Sequence, residues 1–485
     1  MKLYNTLSRQ VEEIIPFHPP QLGVYTCGPT VYDYTHIGHV RKYLMDDVLI
    51  RTLKQAGFKV KHVMNITDVG HLTSDADTGE DKLEKGALKY GGSVWQIAEK
   101  FTKFFFASMD LIGNHRPDVV AKVTDHINEQ IELVKKLSAK GFTYSIEEDG
   151  IYFDTAKFPT YGQLSRLDVA GMEEGARIGK VEGKKNPTDF ALWKFERKGE
   201  HRQMSWPSPW AKRGFPGWHI ECSTLCLEYI GDQVDIHTGG IDHIAVHHQN
   251  EIAQSEAATG KQPFVKYWVH HNMLQVEGQK MSKSLENFVT LPEVVKKDFQ
   301  PMALRLLFLS GHYRSQMNFT WENLSGADKS FAKLVRDIAS WQEQVKSKTN
   351  QMKRDELSVS AQRFQDDFWQ FMDDDLKTPE ALAVLWQVVK SDLPVWEKLS
   401  LVLDFDQVLG LGLSQAQTMA DNFDQNPEIG EDQLPQEIKT LLNERRQARD
   451  RQDWPEADRL RAKIETSGYS VMDQAGLQKV SKMQS

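Results

Sequence analysis

Cysteine is scarce in this chain: three thiols, Cys27, Cys222 and Cys226, in 485 residues. Three cannot staple a disulfide framework, so a reducing compartment is expected and the thiols stay open to metal. Long apolar runs are missing too. No stretch approaches the ~18 residues of a membrane-crossing helix, and Met1 to Glu13 holds no apolar leader core. A cytoplasmic protein with no membrane partner is expected. Positive charge is in deficit, 59 Lys and Arg against 68 Asp and Glu, net −9. That disfavours indiscriminate nucleic-acid binding but leaves room for a local basic face. Arg177 to Arg213 carries such an excess, ten Lys/Arg against four Asp/Glu; from Glu444 to Lys463 seven face five, which reads as solvated surface. No internal repeat is visible. What is present, 40% hydrophobic and 26% charged residues, describes a globular chain about three times a ~150-residue domain, so two to four domains are expected.

Residues 22–70 read as strand, helix, strand. Val24, Tyr25 and Thr26 favour a strand that stops at Gly28-Pro29. Val40, Leu44 and Val48 then recur every four positions, with Leu49 and Leu53 beside them, and Gly57 closes the helix. Phe58, Val60, Val63 and Ile66 form the next strand. Such a βαβ unit is half of a Rossmann-type α/β fold, a doubly wound parallel sheet with ligands at the carboxyl ends of its strands. Cys27 and the Asn65-Ile66-Thr67-Asp68 corner lie at such ends. Residues 1–115 are therefore expected to be the first half of a catalytic domain. Residues 116–205, with a helix from Ile127 to Leu137 and Gly-rich hairpin sequence at Asp149-Gly150 and Tyr161-Gly162, read as an insertion. The second half follows at 206–275, and a loop-bearing region at 276–330. A helical bundle spans 331–425, where Phe331, Leu334, Val335, Ile338 and Trp341 keep a 3.6-residue period. In it Thr378-Pro379-Glu380 reads as an N-cap with proline at N1. Residues 426–485 are a linker and a last small domain, the acidic stretch Ser414 to Gln433 reading as the linker.

Three groups carry chemistry. His36-Ile-Gly38-His39 stands at a helix N-terminus, where free N–H groups, helix dipole and imidazoles suit an anion, and Gly38 lets a flat base approach. Lys280-Met-Ser-Lys283-Ser284 supplies two lysines three apart with hydroxyls between, able to fold over a triphosphate. Cys27, Cys222, His247 and Glu251 offer two thiolates, an imidazole and a carboxylate, with His247 and Glu251 on one helical face. Spacing alone leaves Cys226, His243 and His248 as rivals for that set. Asp75 to Asp81 has calcium-loop composition without its closing acid and reads as a solvated turn.

Along essentially its whole length the chain resembles the cysteinyl-tRNA synthetases, of class I. Carrying the likeness are Cys27-Gly-Pro-Thr-Val-Tyr-Asp33, His36 to His39, Asn65-Ile-Thr-Asp68, Asn186-Pro-Thr-Asp-Phe190 and Trp206-Pro-Ser-Pro-Trp210. So do Pro216-Gly-Trp-His-Ile-Glu-Cys-Ser223, His247-His-Gln-Asn-Glu251, Lys280 to Ser284, and Met372-Asp-Asp-Asp-Leu-Lys-Thr-Pro-Glu380. The resemblance implies one zinc ion held by Cys27, Cys222, His247 and Glu251, with Cys226 structural. It implies that the substrate thiolate joins that zinc while Thr67, Trp218 and His237 line the pocket. Soft zinc prefers thiolate to hydroxyl, which separates cysteine from serine without editing. ATP, with Mg2+, would meet His36, Gly38, His39, Asp242 and Lys283, and His36, His39, Lys280 and Lys283 would stabilise the α-phosphate transition state. By the same likeness 276–330 also touches the tRNA stem, and Arg449, Trp454, Asp458 and Asp473 read the anticodon of tRNA(Cys). A cytoplasmic monomer that attaches L-cysteine to tRNA(Cys) is expected. Its alternatives are a ligase joining cysteine to an amino sugar, which lacks the last domain, and a non-catalytic RNA-binding paralogue. The chain departs from the family at Thr238, within His237-Thr-Gly-Gly-Ile-Asp242, and at Val246 and Gln249, which replace a proline and a glutamate.

Overall fold

The computed structural model describes residues 1–71, 81–166, 182–281, 285, 287–347, 357–424, 433–451, 453–474 and 477–482. Two short strands, β1 (Lys2–Asn5) and β2 (Gln10–Glu13), pair antiparallel. The expected unit follows as β3 (Gln21–Thr26), α1 (Ile37–Gln55) and β4 (Lys59–Ile66). α2 (Lys82–Tyr90) and α3 (Val94–Leu111) lead to β5 (Val119–Lys122), which adds in parallel to β4, and then to α4 (Ile127–Ala139). Next, β6 (Thr143–Ile146), β7 (Gly150–Phe153), β8 (Phe190–Phe195) and β9 (Gly214–Pro216) form a separate antiparallel sheet. α5 (Trp218–Tyr229), β10 (Val234–Gly240), α6 (His247–Thr259) and β11 (Val265–His271) complete the catalytic sheet, ordered β11-β10-β3-β4-β5 and parallel throughout. Two expected boundaries differ. β5, inside 116–205, belongs to the parallel sheet, and β9, inside 206–275, closes the antiparallel one. Both strands are too short to show a period in sequence.

Chain order runs outward from β3 in both directions, so the switch point, where such sheets bind ligands, lies between β3 and β10. Both faces of the sheet are buried. Val24, Met64, Ile236 and Val269 face α1 and α3, whereas Tyr25, Val63 and Trp268 face α4, α5 and α6.

Beyond the sheet, β12 (Leu274–Val276), β13 (Gln279–Lys280), α7 (Leu291–Lys296), α8 (Pro301–Leu309) and β14 (Met317–Phe319) make a three-stranded platform. The bundle is α9 (Trp321–Ser347), α10 (Val359–Asp373), α11 (Thr378–Lys390), α12 (Val395–Leu409) and α13 (Ala416–Asp424). Two sequence expectations shift here. Lys377, not Thr378, is the N-cap of α11, and no side chain caps it. Residues 416–424, expected as linker, are helical because Ala416 and Ala420, one turn apart, are small enough to pack flush in the core, with Phe423 6.5 Å from Phe331. Last come α14 (Gln436–Asp450), α15 (Trp454–Thr466), β15 (Tyr469–Gln474) and β16 (Leu477–Lys482), around a core of their own that includes Leu434, Ile438, Ile464 and Val471. Among the described residues no helix is long and apolar enough to cross a membrane.

Two buried charges tie these parts together. Arg41 of α1 donates to the carbonyls of Asn272, His312 and Ser315 at 2.8–2.9 Å. Asp375, at φ +62, accepts from Tyr4 N and Tyr313 OH on one oxygen and from Arg314 Nε on the other, while its carbonyl meets His312 Nε2 at 2.8 Å. Two distant stretches of chain, at residue 4 and at 313–314, therefore converge on the carboxylate of a third.

Candidate functional site

Cys27 directly follows β3, and its N–H donates to the carbonyl of Thr238 on β10 across the switch point, 3.1 Å. Lys42 Nζ, nearly two helical turns past the His36 cap, holds the carbonyl of Cys27 at 2.8 Å. Cys222 comes from α5, His247 opens α6, and Glu251 lies one turn further on. The four donor atoms lie within 4.8 Å of one another, and all four residues are buried. Cys27 Sγ is 3.8 Å from Cys222 Sγ and 3.6 Å from His247 Nε2, and His247 Nε2 is 3.1 Å from Glu251 Oε1. The contact with Cys222, helped by His243 and His247, holds the Cys27 thiol well below its ordinary pKa; the same contact, with burial, pushes Cys222 up. Two thiols, an imidazole and a carboxylate in one buried knot form a donor set that suits zinc. Glu251 Oε1 is buried with no well-aligned hydrogen bond besides its 3.1 Å approach to His247 Nε2, an acceptor that a cation would satisfy.

Outer contacts aim these ligands. His237 Nε2 meets the other oxygen of Glu251 at 3.0 Å while its ring stacks on Trp268. His219 Nδ1 lies 2.9 Å from His247 Nδ1, which turns His247 Nε2 toward the knot. His237, expected to line the substrate pocket, is fully buried in this structure, against Glu251. The three rival residues fall in two other groupings, Cys27 with His243 and His248, and Cys226 with His237 and Glu251, but only the expected foursome brings four donors together among the described residues.

Beside the knot, Thr67 Oγ1 donates to Glu221 Oε2 at 3.2 Å and accepts from Asn65 Nδ2 at 2.9 Å. The other oxygen of Glu221 lies 2.5 Å from His71 Nε2. Burial pushes the Glu221 carboxyl well up, and burial with Lys82 pushes His71 down to about 3, so His71 is neutral near pH 7. Trp218, half-buried, stacks over His71 and has Lys82 Nζ 4.3 Å from its ring centre. Sequence reasoning singled out neither Glu221 nor His219, although both stand inside the Pro216–Ser223 motif. His71 and Lys82 had no local signal, because their importance arises from contact with Trp218.

The two histidines of the first motif stack at 3.7 Å between ring centres. His36 is the N-cap of α1, and its Nδ1 accepts from the N–H of Gly38 at 3.1 Å and of His39 at 3.3 Å. Those N–H groups, expected to await an anion, are satisfied by the cap, and an anion would instead meet the imidazoles. A Cβ on residue 38 would lie 3.0 Å from the His36 ring, so the glycine makes room for the cap. The lysine-loop region comes to the same place. Ile37 N donates to Val289 O at 2.9 Å, His36 meets Phe288 edge to face at 5.3 Å, and Met281 Cε would be 3.6 Å from a Cβ at Gly38. Lys280 is exposed on β13; Lys283 lies outside the described residues, as do positions 75–80 of the acidic turn. Asp242 is exposed just past β10, its Oδ1 only 2.2 Å from where a Cβ on Gly240 would stand. Thr238 points to Thr26 Oγ1 at 3.3 Å, inside the sheet, and Gln249 Oε1 accepts from Leu164 N at 3.0 Å.

In the last domain the guanidinium of Arg449 lies 5.7 Å from the ring centre of Trp454, itself 54% exposed, and Asp458 is exposed one turn along α15. Asp473 is on β15, paired in register with Gln478. Arg449 and Trp454 thus meet at one end of the α14–α15 hairpin.

Residues 13–329 match the family model described as the class I (C) tRNA synthetase catalytic domain, and residues 431–480 match the cysteinyl-tRNA ligase anticodon binding domain. Cysteine–tRNA ligase of Treponema denticola is 42% identical, over 98% of both chains. Cysteine–tRNA ligase 1 of Burkholderia lata is 43% identical, over 98% of this chain and 95% of that one. A solved methionyl-tRNA synthetase of Mycobacterium tuberculosis, at 15% identity and TM-score 0.57 over 82% of this chain and 91% of its own, shares the fold. The chain belongs to the cysteinyl-tRNA synthetase family of class I aminoacyl-tRNA synthetases.

Proposed function

We propose that the chain activates L-cysteine with ATP as a cysteinyl-adenylate and transfers it to tRNA(Cys), releasing pyrophosphate and then AMP. The observation that carries this reading is the buried knot of Cys27, Cys222, His247 and Glu251 beside the histidine motif and the approach to the lysine loop. Those four residues would hold zinc, which when bound supplies a soft Lewis-acid position for the substrate's thiolate sulfur. The rest falls to the chain's own groups. Trp218 and Thr67 wall the adjacent pocket, and His237 and His219 orient the ligand side chains. His36 and His39 offer imidazole donors where charge develops on the α-phosphate, with Lys280 and Lys283 completing the electrostatics and Mg2+ accompanying ATP. Asp242, at the mouth of β10, is suited to the nucleotide's ribose or base. The tRNA 2′-hydroxyl then attacks the adenylate carbonyl, and AMP leaves. Arg449, Trp454, Asp458 and Asp473 are the proposed anticodon readers, since unpaired bases expose both stacking faces and pairing edges. The reading puts the enzyme in the cytoplasm as a monomer.

ATP–pyrophosphate exchange with cysteine and with serine tests this, followed by charging of tRNA(Cys). Exchange with cysteine and next to none with serine is expected. Equal exchange with serine would sink the thiolate-selecting site. Exchange without charging of tRNA would instead favour an amino-sugar ligase.

A further inference from the structure

The short helix α2 has no role in the scheme above, yet it joins its two ends. Lys82, Lys85 and Lys89 recur at i, i+3 and i+7 and so share one face. At the start of that face Lys82 lies 4.3 Å from the Trp218 ring centre, in the pocket beside the zinc knot. At its far end Lys89 and Tyr90 line a cavity of about 440 Å³ with Tyr34, Phe104 and Phe288. Phe288 is the ring that packs on His36. A basic stripe therefore runs from the flank of the first signature to the amino-acid pocket, and aromatic rings stand at both ends.

From this geometry we infer that α2 guides the single-stranded 3′ end of the tRNA: phosphates track the lysine face while a base stacks in the Tyr34–Tyr90 cavity. The inference rests on the proposed tRNA-charging function and extends it to a surface. Seven residues of helix rise about 10 Å, long enough to run beside a short stretch of single strand. Unpaired bases bind on aromatic platforms beside cations, and Lys100 Nζ lies 4.8 Å from the Tyr90 ring centre. Neighbouring acids are largely committed elsewhere. Glu293 caps α7 through Thr290, Glu84 accepts from Gln203 N, and Asp33 accepts from Tyr34 N and the Tyr90 hydroxyl, with Lys89 3.5 Å away. The stripe is also held in place. Asp81 caps α2 with one oxygen and pairs with Arg202 through the other, and Arg202 also bonds the carbonyl of Gly70 and lies 3.6 Å from the Phe215 ring centre.

Binding of two RNAs, intact tRNA(Cys) and the same tRNA trimmed of its unpaired 3′ nucleotides, to wild type and to Lys85→Ala/Lys89→Ala tests the inference. Both lysines are exposed, so the fold tolerates the change. The variant is expected to bind intact tRNA about 10-fold more weakly, with a salt slope shallower by about 1.4, and to bind trimmed tRNA as wild type does. Lys85→Arg/Lys89→Arg should restore the affinity. An equal loss on both RNAs would assign the lysines to the duplex and overturn the inference, as would no loss on either. Failure of wild type to bind tRNA(Cys) at all would instead refute the underlying function.

Discussion

At the scale of single residues, Cys222 and Cys226 differ by one helical turn and by everything that matters to a metal. Cys222 Sγ faces Cys27, whereas Cys226 is a buried thiol that burial keeps protonated. Cys222→Ala should lose zinc and lower cysteine activation about 100-fold or more, while Cys226→Ala should retain zinc; metal analysis of the two proteins checks both. His62 gives a pH prediction. Burial beside Thr26 Oγ1 lowers its pKa from 6.5 to about 4. Between those values the unfolded chain binds the extra proton, so stability is full above pH 6.5 and falls as the solution is acidified toward 4. From pH 7 to 5 this one group should cost about 2 kcal/mol. Denaturant midpoints at the two pH values should show a smaller acid loss in His62→Gln than in wild type. The ligand types were legible in the sequence as a chemical set. Spacing alone did not select among His243, His247 and His248, because the direction of α6 decides which imidazole meets Cys27; only the family resemblance singled out His247.

Helices and strands tell a similar story one level up. α1 was readable nearly to the residue, since its apolar period is regular and Gly57 stands just past its C-cap, Ala56. α13 was not, because alanines anchor it and polar residues surround them, so composition hid the packing. The most consequential local device, the His36 cap, is written only as two histidines and a glycine. Gly38→Ala would press on the His36 ring from 3.0 Å and disturb both capping bonds. Adenylate formation should fall about 10-fold or more with zinc content unchanged, a split that stopped-flow kinetics and metal analysis together would reveal. Normal kinetics would mean that the ring relaxes freely and the glycine is there for another reason.

The molecule as a whole divides into a body and a small terminal domain whose core, Leu434 to Val480, is separate from the main one. Among the described residues a 3.2 Å pair, Arg461 with Asp298, links that domain to α7's end. Truncation after Asp424 should therefore leave cysteine-dependent exchange nearly intact and raise the KM for tRNA about tenfold or more, about 1.4 kcal/mol. Loss of exchange would show instead that the body needs the domain to fold. The parallel sheet and the order of its parts could be read from motifs. The edges of the insertion could not, since β5 and β9 take their sheet from their neighbours.

The convergence on Asp375 has one more consequence, for a chain that is no longer continuous. A single cut between Ser347 and Leu357 would divide the protein into two polypeptides. Asp375 on the second would still be gripped by Tyr4, Tyr313 and Arg314 on the first, and Arg305 Nε would still hold the carbonyl of Leu409 at 2.6 Å. The halves share a hydrophobic core as well: expressed as separate fragments, they should find each other and, measured by cysteine-dependent exchange, work without a peptide bond between them.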